Sequence, residues 1–287
     1  MQTVFDENLA LIRKLRALSR PTAGADFLMQ RAVEDLADRL STVQRQFDNP
    51  AAIHCLTAGA ADAILQSGKA SAPPLRVEAD PALLSGDGVT SAGNVLALTP
   101  ESLDLVVSLL TLHEVNDLPG LLVQIRRALR PDGLFIGALA GAGTLQELRE
   151  SLLAAEVELT GGATPRVAPF VDVRDAGALL QRAGFALPVA DLETVTVRYP
   201  TMFQLLADLR AMGATNALAE RSRKPATRAL FARAAQIYAE RFSDPDGRIR
   251  ATFSFVWLSG WAQHASQQKP LKPGSARMRL KDALGGD

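Results

Sequence analysis

Apolar positions are spaced in two textures along the chain. Over residues 5–48, Leu9, Ile12 and Leu15, and then Phe27, Val33, Leu36, Leu40 and Val43, recur at three- and four-residue steps. That is the stripe of two amphipathic helices facing a core. Arg20-Pro21-Thr22-Ala23-Gly24 predicts the break between them. From residue 51 short apolar runs alternate with helical spacing. The runs AIHCLT, LRVEA, NVLAL, LDLVVSLL and GLFIGALA start near residues 52, 75, 94, 103 and 133. They are continuously apolar, as in strands covered on both faces, and their alternation with helices predicts a mostly parallel sheet. DLPGLLVQIRRALRPDG reads as a helix with Asp117 as its cap, Pro119 in its first turn and Pro131-Asp132-Gly133 as its stop.

Beyond residue 144, LQELRESLLAAEVEL returns to helical spacing. TGGATPRVAPF reads as a loop, and VRDAGALLQRAGF as a helix closed by Ala183-Gly184. ADLETVTVRYP alternates Val195, Val197 and Tyr199, the period of a strand. Two helices over residues 201–212 and 225–242 precede a last strand in IRATFSFVWLSGWA and a tail rich in Pro, Gly and Lys. The expected fold class is α/β, a doubly wound sheet. Residues 1–50 form an N-terminal helical extension, 51–200 the α/β core, and 201–287 a C-terminal elaboration of helices, last strand and tail.

Composition narrows the function. Lys+Arg and Asp+Glu number 31 each in 287 residues, so no bulk positive field argues for nucleic acid. The single cysteine, Cys55, lies inside an apolar run, which excludes an intramolecular disulfide and fits a reducing compartment. No run approaches the roughly 20 apolar residues of a transmembrane helix. The first residues, MQTVFDENLALIRKLRAL, carry acids among their apolar positions, unlike a signal peptide. A cytoplasmic location is expected. His54, His113 and His264 are far apart and no metal-ligand spacing stands out, so no metal site is predicted.

In a doubly wound sheet, ligands sit at the carboxyl ends of the strands, which directs attention to the first strand-to-helix turn, in AAIHCLTAGAADAIL. A dinucleotide fingerprint needs three glycines there, and this turn has only Gly59.

Long segments carry a family resemblance. They are FDENLALIRKLRA, SLDLVVSLLTLHEVNDLPGLLVQIRRALRPDGLFIGALAGAGTLQELR, GGATPRVAPFVDVRDAGALLQRAGFALPVAD, LLADLRAMGATNAL and SQQKPLKPGSA. Through them the chain resembles the class I S-adenosylmethionine (SAM)-dependent methyltransferase-like family of the mitochondrial complex I assembly factor five. More distantly it is similar to the biotin-pathway malonyl methyltransferases. The resemblance implies a class I methyltransferase-like, Rossmann-like fold and SAM as cofactor. It also implies either a methyltransferase of unknown substrate or an assembly factor that modifies a respiratory-complex subunit, the assembly factor being understood to hydroxylate an arginine. A non-catalytic binding protein on an altered methyltransferase scaffold is the third reading.

Carried over position by position, the SAM loop places Cys55 where an acid is usual, Thr57 at the first glycine, Gly59 at the second and Ala61 at a third. Losing a charge-assisted bond there weakens binding by roughly 1.5 to 3 kcal/mol, about ten- to hundredfold. Asp80, just past the second strand, stands where the family holds the ribose hydroxyls. Asp-Pro followed by Ala-Leu-Leu is also a helix start, and the two roles are compatible. Asn94 is the one polar candidate for the adenine, or a loop-end asparagine. In LLTLHEVNDLPG the resemblance makes His113, Asn116 and Asp117 the substrate-side residues, with Glu114 where tryptophan is usual. His113 is open to two roles, polarising or deprotonating a substrate, or supporting a strand end. Thr144, Glu147, Arg149 and Arg174 are either a polar clamp or solvated helix faces. Gln267, Gln268, Lys269 and Lys272 belong to a partner-docking segment, a pocket-closing segment or a packed C-terminal strap.

Overall fold

The computed structural model describes residues 3–84, 86, 88–91 and 94–267. Two helices open the chain, α1 (Glu7–Ser19) and α2 (Phe27–Thr42). Asp6 caps the first by accepting from the Leu9 N–H, and the break between them falls on the predicted Pro-Gly segment. The two differ in depth. α2 buries Leu28, Ala32, Leu36 and Leu40, one face at four-residue steps, and each fully buried leucine contributes roughly 1.5 to 3 kcal/mol. α1 buries only Ala10.

The sheet contains β1 (Pro50–Ile53), β2 (Leu75–Glu78), β3 (Val89–Thr90), β4 (Leu103–Leu109), β5 (Leu129–Ala140), β6 (Ala186–Tyr199) and β7 (Ile249–Trp261). Its order is β3-β2-β1-β4-β5-β7-β6. The first five strands pair in parallel, and β7 inserts antiparallel between β5 and β6. Every residue of β4 is buried, as its uninterrupted apolar run requires. Helix α3 (Gly59–Gln66) packs with α2, α5 (Gln146–Thr160), α7 (Met202–Ala211) and α8 (Arg228–Phe242) in the core on one face. Helices α4 (Leu118–Ala128) and α6 (Val173–Arg182) cover the other. This is the doubly wound α/β sheet that the apolar runs predicted, in the class I methyltransferase-like form that the resemblance implied.

Two expectations shift. NVLAL is not a strand. Val95 is 67% exposed, Leu96 turns inward with its N–H bonded to Gln124 Oε1 at 2.8 Å, and the third strand is the short Val89–Thr90. Pro131-Asp132-Gly133 does not end a helix, because β5 has already begun at Leu129. The triplet makes a kink where the register with β4 shifts, with Asp132 at φ 66°.

The N-terminal segment closes over the carboxyl edge of the sheet. The Asp6 N–H donates to the Ala217 carbonyl at 2.8 Å, and the Ala219 N–H to the Val4 carbonyl at 2.9 Å. Gly213, at φ 74°, lets this connection lie against α1. A Cβ there would stand 3.0 Å from the Lys14 Cα and in the left-handed region.

Candidate functional site

Under that cap lies a cavity of about 660 Å³. Leu56 and Thr57 after β1, Leu110 and His113 after β4, and Ala140 at the end of β5 form its inner wall. α1, α2 and the connection after α7 close it. The wall is largely apolar, with Phe5, Leu28, Phe170, Leu209 and Phe253 among its members, and most of its polar side chains already have partners. Arg166 is paired with Glu156, its Nη2 at 2.6 Å, and Thr144 Oγ1 accepts from the Ser254 N–H at 3.0 Å.

The turn after β1 is held by the protein itself. His54 and Leu56 adopt left-handed backbone, φ 50° and 62°, where the family pattern has glycine nearby, and such conformations persist only when fixed by their surroundings. Here the fixing groups are Thr111, whose hydroxyl donates to the His54 carbonyl, and buried Glu78, whose carboxylate accepts from the Cys55 N–H at 3.2 Å. Glu78 also pairs with Arg76 at 3.1 Å. Burial raises the Glu78 pKa, against the pull of Arg76. Cys55 is buried and its thiol is driven upward by that burial, so it is a packing group and not a nucleophile.

The turn after β4 divides its polar side chains. His113 Nδ1 accepts from the Ala140 N–H at 3.3 Å, and its ring meets Phe170 edge-on at 5.8 Å between centroids. Enclosure by protein lowers its pKa to about 4, with Glu114 opposing and Lys14 assisting. The ring is therefore neutral at pH 7, and with Nδ1 accepting, the proton sits on Nε2. His113 is a hydrogen-bond donor in this state. Glu114 forms an ion pair with Lys14 of α1, each side chain 16% exposed. Burial pushes the Glu114 pKa up, but Lys14 and the neighbouring groups outweigh it and leave it lowered, so the carboxylate is ionised. Lys14 also depresses buried His54, whose pKa falls to about 4, chiefly through burial. The structure thus brings His54, His113, Glu114 and Lys14 into one electrostatic neighbourhood.

Several of the other expected site residues spend their hydrogen bonds on the fold. Asn116 uses all four of its hydrogen-bonding positions on the N-terminal segment. Oδ1 accepts from the Val4 and Phe5 N–H groups, both at 2.9 Å, and Nδ2 donates to the Phe5 carbonyl at 3.0 Å and Glu7 at 2.8 Å. Asp117 caps α4 through the Gly120 N–H at 2.9 Å, and its own N–H donates to Asn94 Oδ1 at 3.1 Å. Asn94 is therefore an anchor for α4. Glu147 is buried and accepts from Thr252, which joins α5 to β7. Arg149 donates to the Ala168 carbonyl at 3.1 Å, and Arg174 is exposed. Gln267 bonds Asp132 at 2.9 Å and the Ala262 carbonyl at 2.8 Å, at the opposite end of the sheet. Gln268, Lys269 and Lys272 lie outside the described residues.

SAM fits this edge at one position. Asp80 Oδ1 caps the 3-10 turn Pro81–Leu83 through the Ala82 N–H at 2.8 Å, which leaves a second oxygen for a ribose hydroxyl. Gly59 is small for another reason. A Cβ there would stand 3.0 Å from Val33 Cγ2, so a larger residue would need Val33 of α2 to shift. Thr57 Oγ1 accepts weakly from the Gly59 N–H, at 3.4 Å, and lines the cavity. The amides that would cradle a ligand in the turn are partly taken, that of Cys55 by Glu78. Among the described residues no group of three or more His, Cys, Asp or Glu is placed to hold a metal, and no helix is long and apolar enough to cross a membrane. Sequence reasoning missed Lys14 and Glu78. Lys14 pairs with a residue one hundred positions away, and Glu78 sits in a strand whose apolar run gave no cue.

Comparison with known proteins fits this architecture. Residues 74–137 match the model of a methyltransferase domain. The chain is 36% identical over 289 residues to a rat protein named arginine-hydroxylase NDUFAF5, mitochondrial, covering 97% of this chain and 83% of that one. It is 43% identical over 186 residues to the Dictyostelium discoideum protein of the same name, 64% of this chain but only 42% of that longer one. Malonyl-[acyl-carrier protein] O-methyltransferases align more distantly. Among solved structures, the YcgJ protein of Bacillus subtilis superimposes with a TM-score of 0.53 at 14% identity, over 80% of this chain and 99% of that one, a likeness of fold. The relatives are named as mitochondrial proteins, which overturns the cytoplasmic expectation. A free buried thiol marks a reducing compartment, and that criterion does not separate cytoplasm from a mitochondrial interior.

Proposed function

Because this chain belongs to the family of the NDUFAF5 proteins, we propose that it modifies an arginine side chain of a partner protein, a respiratory-complex subunit, with the cavity as its reaction centre. The relatives' name, arginine-hydroxylase, is the source of the reaction type. The observation that supports the reading is the cavity's inner end, where the ionised carboxylate of Glu114 stands beside the neutral His113. A guanidinium in an apolar enclosure requires an anion, and Glu114 supplies one. His113 Nε2–H donates to an oxygen at the reacting position, and in this protonation state the histidine orients rather than abstracts. Phe170, whose ring meets His113 edge-on, makes one apolar side of that end.

Methyl transfer from SAM is the second reading. It is favoured by the methyltransferase-domain match and by the second oxygen of Asp80. When bound, SAM supplies a methyl group on a sulfonium, which needs little beyond alignment with a nucleophile. Asp80 would hold its ribose.

Mass spectrometry of a candidate subunit incubated with the purified chain, SAM, dioxygen and a two-electron reductant separates the readings, since hydroxylation inserts one oxygen of dioxygen and releases the other as water at the expense of the reductant. Gain of one oxygen on an arginine supports hydroxylation. Gain of a methyl group that depends on SAM, together with calorimetric SAM binding lost in Asp80→Ala, supports methyl transfer. Neither modification, with no SAM binding at millimolar ligand, would sink both and leave a binding protein on a methyltransferase scaffold.

A further inference from the structure

We propose that Glu114 is a cation-binding subsite which the protein keeps filled with its own Lys14, so that an organic cation enters the cavity by exchanging for that lysine. The subsite deepens the reading above and rests on the same cavity. Three observations lead to it. Glu114 faces the cavity and is ionised although deeply enclosed, a state that requires a cation at contact distance. The remaining carboxylate on the wall, Asp26, is bonded to Gln30 at 2.8 Å near the surface, and Glu156, behind the wall, is held by Arg166 and Thr164. Lys14 is carried by a shallow element. α1 buries only Ala10 and leaves Ile12 51% and Leu18 40% exposed.

The other contacts that hold α1 down do not depend on Lys14. Arg13 donates to the Thr215 carbonyl at 3.0 Å, Asp6 pairs with Arg221 at 3.0 Å, and Asn116 grips Val4 and Phe5. The lysine is thus a compact charge on a flexible stem, and its withdrawal from Glu114 removes one of the contacts of α1 and loosens that helix. A guanidinium or alkylammonium group on a ligand then replaces it at Glu114, and the carboxylate is never left without a counter-charge. The pair is a self-occupied subsite, and Lys14 sets the threshold that a ligand has to exceed.

The test uses the full chain and methylguanidinium, with methylammonium as the second arm and sodium chloride as the ionic-strength control. Calorimetry is expected to show at least tenfold tighter methylguanidinium binding to Lys14→Met than to the unaltered protein, with the gain abolished in Lys14→Met/Glu114→Gln. Equal affinity with and without Lys14, or a gain that survives Glu114→Gln, would overturn the subsite. Should Lys14→Met fail to fold, hydrogen exchange of residues 7–19 in the unaltered chain decides. It is expected to rise with methylguanidinium at tens of millimolar, and not in Glu114→Gln. No rise in the unaltered chain, or the same rise in Glu114→Gln, overturns the proposal. Failure of the function is distinguishable. A partner arginine modified with no exchange response removes the subsite and leaves the reading, and an exchange response with no modification does the reverse.

Discussion

The two strand-to-helix turns at the centre of the carboxyl edge use their polar groups in opposite ways. After β1, the chain turns through His54 and Leu56 in left-handed backbone, and the surrounding polar groups, Thr111 and Glu78, serve to hold that shape. After β4, the turn also passes through left-handed backbone, at Leu110 with φ 55°, yet it divides its side chains between two tasks. Asn116 and Asp117 support the scaffold, while His113 and Glu114 face the cavity. A polar residue at a ligand-binding edge is available for chemistry only in proportion to the hydrogen-bonding capacity the fold leaves it. The first turn has little left, and the second keeps a donor and an anion.

The sharpest way to break the contrast is at Glu78. Glu78→Ala removes the carboxylate partner of buried Arg76 and the acceptor of the Cys55 N–H together, while Arg76 keeps its bond to the Leu83 carbonyl at 2.9 Å. Breaking a buried ion pair from one side costs about 3 to 5 kcal/mol. Urea denaturation is expected to show a loss of that size. A loss below about 1 kcal/mol would mean that the first turn holds its shape without the carboxylate.

Next in size is a pH effect centred on His54. Its folded pKa of about 4 lies below the ordinary 6.5, so between those values the unfolded chain binds more protons than the folded one. Stability therefore rises with pH across that window and falls as the solution is acidified from about 6.5 toward 4, by about 3 kcal/mol at most. Carboxylates titrate in the same range, so the measurement is a difference. The thermal midpoint of His54→Asn is expected to change less than that of the unaltered protein between pH 6.5 and pH 4. Parallel curves would show that His54 is not held neutral.

Much of this was legible in the sequence, for physical reasons that differ by element. β4 and β5 announce themselves because strands covered on both faces need unbroken apolar runs, and β6 because its alternation has a period of two. Asp117 was legible as a cap because capping depends on four consecutive residues. NVLAL was misread because a short apolar run can pack as irregular chain under a neighbouring helix, as Leu96 does against α4. The site was legible in place but not in role. Position in a motif identified His113, Asn116 and Asp117, yet only the fold reveals that Asn116 has all its bonds on residues 4–7. Lys14 at Glu114 follows from a cap assembled from the N-terminal segment and the connection after α7, a long-range pairing that local spacing does not encode.

Asn116 gives the next test. Asn116→Ala leaves the Val4 and Phe5 N–H groups without their acceptor, at about 1 to 3 kcal/mol if they stay dry. The segment is at the edge of the fold, so the loss is expected as local opening. Hydrogen exchange of residues 4–7 should accelerate while β4 and β5 remain protected. Unchanged exchange there, with direct loss of substrate binding, would return Asn116 to the ligand.

Asp117 marks the smallest effect and sets the limit of the comparison. Its carboxylate accepts from the Gly120 N–H and ends the run of free amides at the start of α4, a cap worth about 1 kcal/mol. Asp117→Ala should lower stability by that amount, and Asp117→Asn or Asp117→Ser should recover most of it, because each offers a side-chain oxygen at the same position. Activity should follow stability in all three variants. If Asp117→Asn folds as well as the unaltered protein and is still inactive, the charge and not the cap is what matters, and the carboxylate has a role at the reaction centre despite its hydrogen bond. The turn after β4 would then present two anions, Glu114 and Asp117, to an incoming cation, and of His113, Glu114, Asn116 and Asp117 only Asn116 would remain with the scaffold.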